Sequence, residues 1–444
     1  MRFTRLSAYL GGALCLAMLF LFAGCGSEEA PAPRPKAEPA AAAPKKPAAP
    51  AKPAVAPTPA DLPQALVLGL AQFPPRGSGP PKPLPATMTF LVRRGGEWVV
   101  SQIDDTDSDV FHKVLHYTVP DGGDRLLSAG GSKAMLKLWK KTDDGYASET
   151  IWEQDFGGKF SRMRDVEVGD LYGDGRAVIA VATHDQGVVA LVKPEGDGFV
   201  VEELDREENT FVHEVEIGDL DGDGVLEVYA TPSEPNRLDG STQSGRVTRY
   251  VPAKGEGRVV VADLGDRHAK EILVEDLDAD GRDELYVIVE GNYDKKSKKL
   301  TRKLEIRRYE ADTDPKQGVV IAEFDDYLGR FLTAGDLDGD GQKDLVAALK
   351  SVGVWMLRPG SDPAAPWEKK LVDRKSGGFE HASIVADLDG DGRGELYVAS
   401  DKDGEVRRYA WHGKGLKREV IQKRTDGNTV FTWNIMAVPA ELAP

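Results

Sequence analysis

Cysteine is almost absent from this chain of 444 residues. The two that occur, Cys15 and Cys25, both lie close to the N-terminus, so no disulfide can cross-link the remainder of the sequence. Any cross-links in the remainder must therefore come from something other than oxidised thiols.

Motifs for common catalytic chemistries are also missing. The sequence has no Gly-x-Ser-x-Gly elbow, no phosphate-binding loop, no His-Glu-x-x-His and no thiol motif. It has 57 Lys and Arg against 73 Asp and Glu, a formal charge of −16, and no basic stripe interleaved with aromatic residues. This pattern predicts that nucleic acid is not a partner. Much of the acidity comes from a repeated loop, so it does not indicate a cationic partner either.

The only long apolar run lies at the N-terminus. Arg2 and Arg5 precede an apolar stretch over residues 8–23, and Gly24 and Cys25 follow it. The stretch is shorter than the ~20 residues that a membrane-spanning helix needs. A charged start, an apolar run and small residues are together typical of a secretory signal. Residues 1–24 are therefore predicted to be a signal peptide, with an uncleaved anchor helix as the alternative.

Residues 21–25, Leu-Phe-Ala-Gly-Cys, resemble a bacterial lipobox in which Phe22 takes the place of the usual leucine. The resemblance implies that Cys25 is lipidated and provides the membrane attachment. Gly and Ser follow Cys25 and do not resemble the aspartate signal for inner-membrane retention. The segment therefore predicts an outer-membrane lipoprotein that faces the periplasm or the outside. Residues 25–60, rich in Ala, Pro and Lys, are predicted to be a disordered linker after the lipidated cysteine.

One acidic loop motif is repeated along the chain. Asp-Leu-Asp-Gly-Asp-Gly begins at Asp219, and close copies begin at Asp276, Asp336 and Asp387. Each full copy carries a glycine at position 6, where a sharp turn favours a positive φ. Each copy also carries carboxylates at positions 1, 3, 5 and 9, namely Asp219, Asp221, Asp223 and Glu227; Asp276, Asp278, Asp280 and Glu284; Asp336, Asp338, Asp340 and Asp344; Asp387, Asp389, Asp391 and Glu395.

Alternate carboxylates in a tight turn aim several hard oxygens at one centre. This suits the flexible shell of about 6 to 8 oxygens around Ca²⁺ better than the small octahedral shell of Mg²⁺. About four calcium ions are therefore predicted, one for each full loop. An acidic turn without a metal is the alternative, although the carboxylates would then repel one another.

The EF-hand loop is the nearest rival motif, but it closes with a glutamate at position 12 and lies between helices. Position 12 is apolar in all four copies, and β-branched and aromatic runs follow each loop. Each loop is therefore predicted to join two strands. A fifth, worn copy begins at Asp170, where Tyr172 and Val178 replace two of the carboxylates. Asp170 and Asp174 are predicted to hold that turn without a tightly bound ion.

The copies recur about every 50 to 60 residues, which is typical of a repeat architecture. One period contains four strand-like runs, the number in a propeller blade. The loop with these flanks resembles the FG-GAP or VCBS repeat family, the calcium-loop propellers similar to the head of integrin α chains. The resemblance covers roughly residues 110–426 and implies an all-β propeller.

Six consecutive blades can be counted along the repeats. Three strand-like runs before them and one after them, from Thr432 to Val438, make a seventh blade that is split between the termini. Residues 61–444 are therefore predicted to form a seven-bladed β-propeller of four-stranded blades, in which N-terminal and C-terminal strands close the last blade. A six-bladed ring with an N-terminal extension is the alternative.

A column of basic residues precedes the loops. Six residues before each first aspartate stand Arg164, His213, Lys270, Arg330 and His381, and an alignment by shape adds His112 and Thr432. In the family that the chain resembles, this position lies at the mouth of the central channel, opposite the calcium loops. Such a ring could hold a carboxylate, a phosphate or an acidic sugar, or a transition metal, and its histidines would add charge near pH 6. Alternatively, the column is the solvated end of a packed face and is neutralised by acidic neighbours.

Two classes of function stay open. The first is a lipid-anchored binding or scaffold protein that displays a calcium-stabilised propeller to a glycan, to peptidoglycan or to a protein. The second is an enzyme, such as a polysaccharide lyase, that uses a histidine or arginine of the ring. Propellers host both classes, so the fold does not decide. The absence of an evident acid and base pair favours binding.

Overall fold

The computed structural model describes residues 59–75, 82–120, 122–131, 133–157, 161–184, 186–233, 239 and 241–444. The predicted signal peptide, Cys25 and nearly all of the predicted linker lie outside the described residues. Within the described ranges, no helix is long and apolar enough to cross a membrane.

In the part of the chain that the structure describes, almost all of the regular structure is β-strand, with two short 3₁₀ helices at Pro252–Lys254 and Ala440–Leu442. The strands of the described chain are β1 (Gln64–Phe73), β2 (Ala86–Arg94), β3 (Glu97–Asp105), β4 (Val110–Val119), β5 (Gly123–Gly131), β6 (Ala134–Thr142), β7 (Gly145–Gln154), β8 (Met163–Gly169), β9 (Val178–Thr183), β10 (Val188–Glu195), β11 (Gly198–Arg206), β12 (Phe211–Gly218), β13 (Glu227–Ser233), β14 (Gly245–Val251), β15 (Glu256–Gly265), β16 (Ala269–Glu275), β17 (Glu284–Val289), β18 (Asn292–Asp294), β19 (Lys299–Arg302), β20 (Leu304–Tyr309), β21 (Val319–Phe324), β22 (Gly329–Gly335), β23 (Asp344–Leu349), β24 (Gly353–Arg358), β25 (Glu368–Asp373), β26 (Ser383–Ala386), β27 (Glu395–Ser400), β28 (Glu405–His412), β29 (Gly415–Lys423) and β30 (Thr429–Pro439).

The strands form seven four-stranded antiparallel sheets, which are the blades of a seven-bladed β-propeller. Blades 1 to 6 follow one another along the chain and begin with the innermost strands β4, β8, β12, β16, β22 and β26. Blade 4 also carries the small hairpin β18–β19 between its second and third strands. The closing blade has the order β3-β2-β1-β30, so the C-terminal strand is its innermost strand. The predicted ring of seven is confirmed, and the six-bladed alternative is wrong.

Burial follows the position of each strand within its blade. The second strand β17, Glu284-Leu-Tyr-Val-Ile-Val, is buried at every residue because neighbouring blades cover both of its faces. The outermost strand β11 is largely exposed and rich in charge, which protects a free sheet edge from pairing with another chain. Seven apolar clusters fill the described core, and each lies between two adjacent blades.

Side chains of the innermost strands also tie neighbouring blades together. The N–H of Val215 donates to Asp165 Oδ2 at 3.0 Å, and the N–H of Leu332 donates to Glu271 Oε1 at 2.6 Å. Across the closing blade, the N–H of Val114 donates to Asn434 Oδ1 at 3.0 Å. Each of these bonds pairs a backbone N–H of one innermost strand with a side chain of the adjacent blade, so neighbouring blades are joined along the channel wall.

Candidate functional site

The acidic loops all lie between the first and second strands of a blade, as predicted, and therefore share one face of the ring. In the loop of blade 3, the N–H groups of Asp223 and Gly224 donate to the two oxygens of Asp219, at 3.1 and 2.7 Å. Gly224 has a φ of 82°, as position 6 requires. The worn loop of blade 2 closes in the same way, because the N–H of Gly175 donates to Asp170 at 2.8 Å. The turn therefore forms with or without the complete set of carboxylates.

The carboxylates at positions 1, 3 and 5 converge in each full loop. In the described residues, their oxygens lie within 4.8 Å of one another in blades 3, 4, 5 and 6. The position 9 carboxylate joins this group only in blade 4, where Glu284 completes the set of Asp276, Asp278 and Asp280. Oδ1 of Asp278 is buried and has no hydrogen-bond partner among the described residues. These clusters could hold metal ions, and their all-oxygen donor set fits a hard cation.

An arginine from the third strand of each of these blades reaches the position 9 carboxylate. Arg308 donates to Glu284 at 2.9 Å and to Asp278 at 2.6 Å in blade 4. The equivalent contacts are Arg249 to Glu227 at 2.8 Å, Arg358 to Asp344, and Arg408 to Glu395. Burial raises the pKa of Glu284 to about 7, while the Arg308 guanidinium opposes that rise. Each full loop therefore has an arginine beside its position 9 carboxylate that would compete with a metal ion for it.

These arginines were not predicted from the sequence. An Arg-Tyr pair in the third strand, at Arg249, Arg308 and Arg408, was the available signal. It could not be interpreted without the pairing of the second and third strands, which places a residue 21 to 32 positions after the first aspartate beside the loop.

At the other end of the innermost strands, the basic column coincides with a series of β-bulges. The pairing between first and second strands is irregular in blades 1 to 5 at the column residues, which are His112, Arg164, His213, Lys270 and Arg330. A bulge rotates the strand and changes the direction of the side chain that it carries. These five residues lie at the start of the channel wall, which we call the channel mouth.

The other two predicted members of the column, His381 and Thr432, are buried and hydrogen-bonded to neighbouring residues of the protein. His381 lies before β26 in a left-handed conformation with φ 64°. Its Nδ1–H donates to the carbonyl of Leu349 at 3.1 Å, and Ser376 donates to its Nε2 at 2.7 Å. The left-handed turn places the preceding residue, Glu380, at the mouth instead, 4.0 Å from Arg164. In the closing blade, Thr432 is buried and donates to Asp401 at 2.7 Å.

Trp433 takes the place of Thr432 at the mouth. The ladder between β1 and β30 skips Trp433, so the closing blade also has a bulge at the column position. The indole ring lies 4.8 Å from the ring of His112 and 5.0 Å from the guanidinium of Arg164. The mouth therefore combines cations, a carboxylate and an aromatic ring, and it is not a purely basic ring.

The histidines of the column do not supply charge. Burial and the nearby cations Lys270 and Arg164 hold the pKa of His213 well below its usual value, and burial does the same for His112. The Nδ1–H of His112 donates to the carbonyl of Met163 at 2.7 Å. Both rings are therefore neutral near pH 6, which corrects the expectation that they add positive charge there. Burial, and then the charge of Arg330, lower the pKa of Lys270 to about 8.

Carboxylates line the channel just inside the mouth. Lys113 lies 3.1 Å from Asp165 and also contacts Glu167. Burial opposes the charge on Lys113, but these carboxylates outweigh it and hold the pKa of Lys113 well above its usual value. Burial raises the pKa of Glu214 and Glu271. Of this acidic group, Glu214 approaches the basic column, at 3.9 Å from Arg164, while Asp165 and Glu167 pair with Lys113.

An apolar depression of about 340 Å³ adjoins the mouth. Phe379 and Phe431 lie at right angles in its wall, with ring centroids 6.0 Å apart. The ring of Phe379 also lies 5.1 Å from the guanidinium of Arg330 and is 42 % exposed. The depression is also lined by Phe73, Pro83, Arg162 and Trp433. Aromatic surface is therefore continuous with the charged mouth.

No protein-family model and no curated protein matches the sequence. Solved structures do match it. A "putative 6-phosphogluconolactonase" from Bacteroides fragilis has a TM-score of 0.52 and 13 % identity over 85 % of this chain and 98 % of its own. A second protein of that description, from Bacteroides uniformis, has a TM-score of 0.50 and 13 % identity over 86 % of this chain and 100 % of its own. At this identity the likeness is one of fold: the chain is a propeller similar to these proteins in architecture.

Proposed function

We propose that this chain is a lipid-anchored binding protein of the bacterial cell envelope, and that it presents the channel mouth of a calcium-stabilised propeller to a glycan, to peptidoglycan or to a protein. The arrangement of side chains at the channel mouth is the main support for the binding function. Bulges in successive innermost strands aim side chains from different blades at one opening. Charged side chains are costly to bury, and a cluster of them at a concave opening beside exposed aromatic surface is characteristic of a binding site.

The proposal includes calcium in the four full loops, as in the FG-GAP or VCBS repeats that they resemble. The converging carboxylates, the orphaned Asp278 Oδ1 and the common turn support it. The residues that would hold the ions are the aspartates at positions 1, 3 and 5, with Glu284 added in blade 4. Calcium would neutralise each loop and join the first two strands of the blade, in a domain that has no cysteine.

The proposed anchor is the lipid on Cys25, and its test is cell fractionation. Cys25→Ser should move the protein from the membrane to the soluble fractions, because no other attachment is proposed. Cys15→Ser lies within the predicted signal peptide and is the matched control, which should stay with the membrane. Membrane retention of Cys25→Ser would contradict the anchor.

The binding proposal is tested by capture of envelope components on the immobilised propeller in the presence of calcium. The wild type should retain a component that the double variant Arg164→Gln with Arg330→Gln does not. Arg94→Gln, at an exposed position on β2, is the control and should behave as the wild type. Equal retention by the double variant would place the binding face elsewhere on the ring, and no retention at all would refute the binding proposal.

A second candidate is an enzyme that acts at the same mouth, and Lys270 is the observation that favours it. A lysine whose pKa is about 8 can exchange a proton near neutral pH, which is what a general base requires. The fold neighbours described as lactonases share only architecture with this chain, so they do not select a reaction. Release of product from an acidic polysaccharide by the wild type, and its loss in Lys270→Met, would support this candidate over simple binding.

A further inference from the structure

The ion pairs that Glu380 and Glu290 make at the mouth are held open, as is the contact of Arg164 with Glu214 at 3.9 Å. Arg164 Nη2 lies 4.0 Å from Glu380 Oε2, and Arg330 Nε lies 3.8 Å from Glu290 Oε1. Nitrogen and oxygen must approach to about 2.7 to 3.2 Å to form a hydrogen bond. In each pair, the arginine and the glutamate therefore attract each other across a gap that is too wide for a hydrogen bond. All four side chains belong to residues that are at most 9 % exposed.

Polar atoms around these gaps lack hydrogen-bond partners within the described part of the chain. They are Glu380 Oε1, Glu290 Oε1, Arg330 Nε and Trp433 Nε1. The two carboxylate oxygens need a donor, whereas the two N–H groups need an acceptor. Buried polar atoms in native proteins are normally paired, so their concentration at one opening points to a ligand that pairs them.

Each open pair is backed by an aromatic ring. The guanidinium of Arg164 lies 5.0 Å from the ring centroid of Trp433, and that of Arg330 lies 5.1 Å from the ring centroid of Phe379. Each guanidinium is thus held in place by a ring, because moving it away from the gap would lose the cation–π interaction. We call the two groups, Arg164-Glu380-Trp433 and Arg330-Glu290-Phe379, the mouth triads.

We propose that the mouth triads bind the hydroxyl groups of a neutral sugar. A hydroxyl both donates and accepts, so a single hydroxyl in each gap can donate to the glutamate and accept from the arginine. A carboxylate or a phosphate has no proton for the glutamate, and an ammonium group has no lone pair for the arginine. The exposed ring of Phe379 adds a flat apolar surface for the C–H face of a pyranose.

The charge of the mouth agrees with a neutral ligand. Three cations, Arg164, Lys270 and Arg330, lie among three carboxylates. These are Glu380 and Glu290 of the triads and Glu214, which lies 3.9 Å from Arg164, so the acidic groups offset the positive charge. The histidines add none, because burial keeps them neutral. This inference rests on the proposed binding function and names the ligand class for it, in place of the anion that the sequence alone suggested.

The test is calorimetric titration of the calcium-loaded protein with cellohexaose and N-acetylchitohexaose as neutral probes and an oligogalacturonate as the acidic probe. At least one neutral hexasaccharide should bind, and Glu380→Gln should weaken it about tenfold or more, because a hydrogen bond to a charged acceptor is lost. The same substitution removes a negative charge, so it should strengthen binding of an anion. The two ligand classes therefore respond to Glu380→Gln with opposite signs. Glu97→Gln, at an exposed position on the outermost strand β3, is the control and should change neither.

Phe379→Ala is the second variant. It removes exposed ring surface, leaves both ion pairs in place, and should also weaken the neutral sugar. Unchanged melting temperature and calcium content exclude misfolding of either variant. Tighter binding of oligogalacturonate than of either neutral probe, or binding by none of the three, would overturn the inference. Capture of an envelope component that survives Glu380→Gln would leave the proposed binding function standing, whereas an absence of any capture would remove that function as well.

Discussion

Replacing Arg308 with methionine should destabilise the calcium-free protein and strengthen calcium binding at the loop of blade 4. Arg308 is buried between Asp278 and Glu284, at 2.6 and 2.9 Å, and Glu284 is 1 % exposed. Removing one partner of such a buried pair costs about 3 to 5 kcal/mol. Some of that loss is relieved as Glu284 takes up a proton, because its pKa is already raised to about 7. We therefore expect a loss of about 3 kcal/mol in chelator at pH 8.

Calcium should reverse part of this loss, because the ion restores positive charge beside the same carboxylates. If saturating calcium recovers about 1.4 kcal/mol or more, the affinity of that loop must rise about tenfold or more. Urea unfolding in chelator and in calcium gives the two stabilities, and calorimetric titration gives the affinity. Arg308→Lys keeps the charge and should lie between the wild type and Arg308→Met. Equal losses with and without calcium, together with an unchanged affinity, would refute the competition between Arg308 and the metal.

Three further outcomes are expected. Asp278→Ala should remove one calcium ion per protein by metal analysis, whereas Asp174→Ala in the worn loop should leave the count unchanged. Lys270→Met should be more stable than the wild type at pH 7 by up to about 3 kcal/mol, because an ammonium whose pKa falls to about 8 on folding opposes the folded state when charged. The unfolded chain binds the extra proton between about pH 8 and 10.5, so the difference should vanish as pH rises through that window, which melting curves would reveal. Lys113→Met should lower the free energy of unfolding by about 3 to 5 kcal/mol near pH 8, because it leaves the carboxylates of the channel wall without their cationic partner. This loss should shrink at low pH, where the carboxylates become protonated.

The architecture could be predicted from the sequence because every blade repeats the same local pattern. The loop beginning at Asp219 is followed by a β-branched run, and the strand that results needs only its immediate neighbours in the chain to form a blade. The conformation at position 6 was also predictable, since the turn itself demands a positive φ at Gly224. The count of seven followed from one unpaired strand at the end of the chain, near Thr432.

Membership of the mouth could be predicted only in part. Counting six residues back from a loop succeeds for Arg164 and Arg330 because an innermost strand runs unbroken from the mouth to the loop. In blade 6 that strand begins only at Ser383. The left-handed conformation of His381 before it places the neighbouring residue, Glu380, at the mouth. The closing blade has no acidic loop from which to count. The sequence alignment therefore gave Thr432 in place of the next residue, Trp433. Contacts such as Arg308 with its loop depend on strand pairing, which no local pattern encodes.

The closing blade makes completion of the ring depend on the synthesis of β30. Its innermost strand, β30, is the final strand of the described chain, and it pairs with β1, the first. A nascent polypeptide that has not reached β30 exposes one edge of β1 and lacks the tie from Asn434 to blade 1. Pairing of such distant segments is slow, and an open strand edge invites aggregation while it lasts. A ribosome that stops short of β30 therefore yields an open, edge-exposed array of blades, and the same final strand that closes the circle also delivers Trp433 to the mouth.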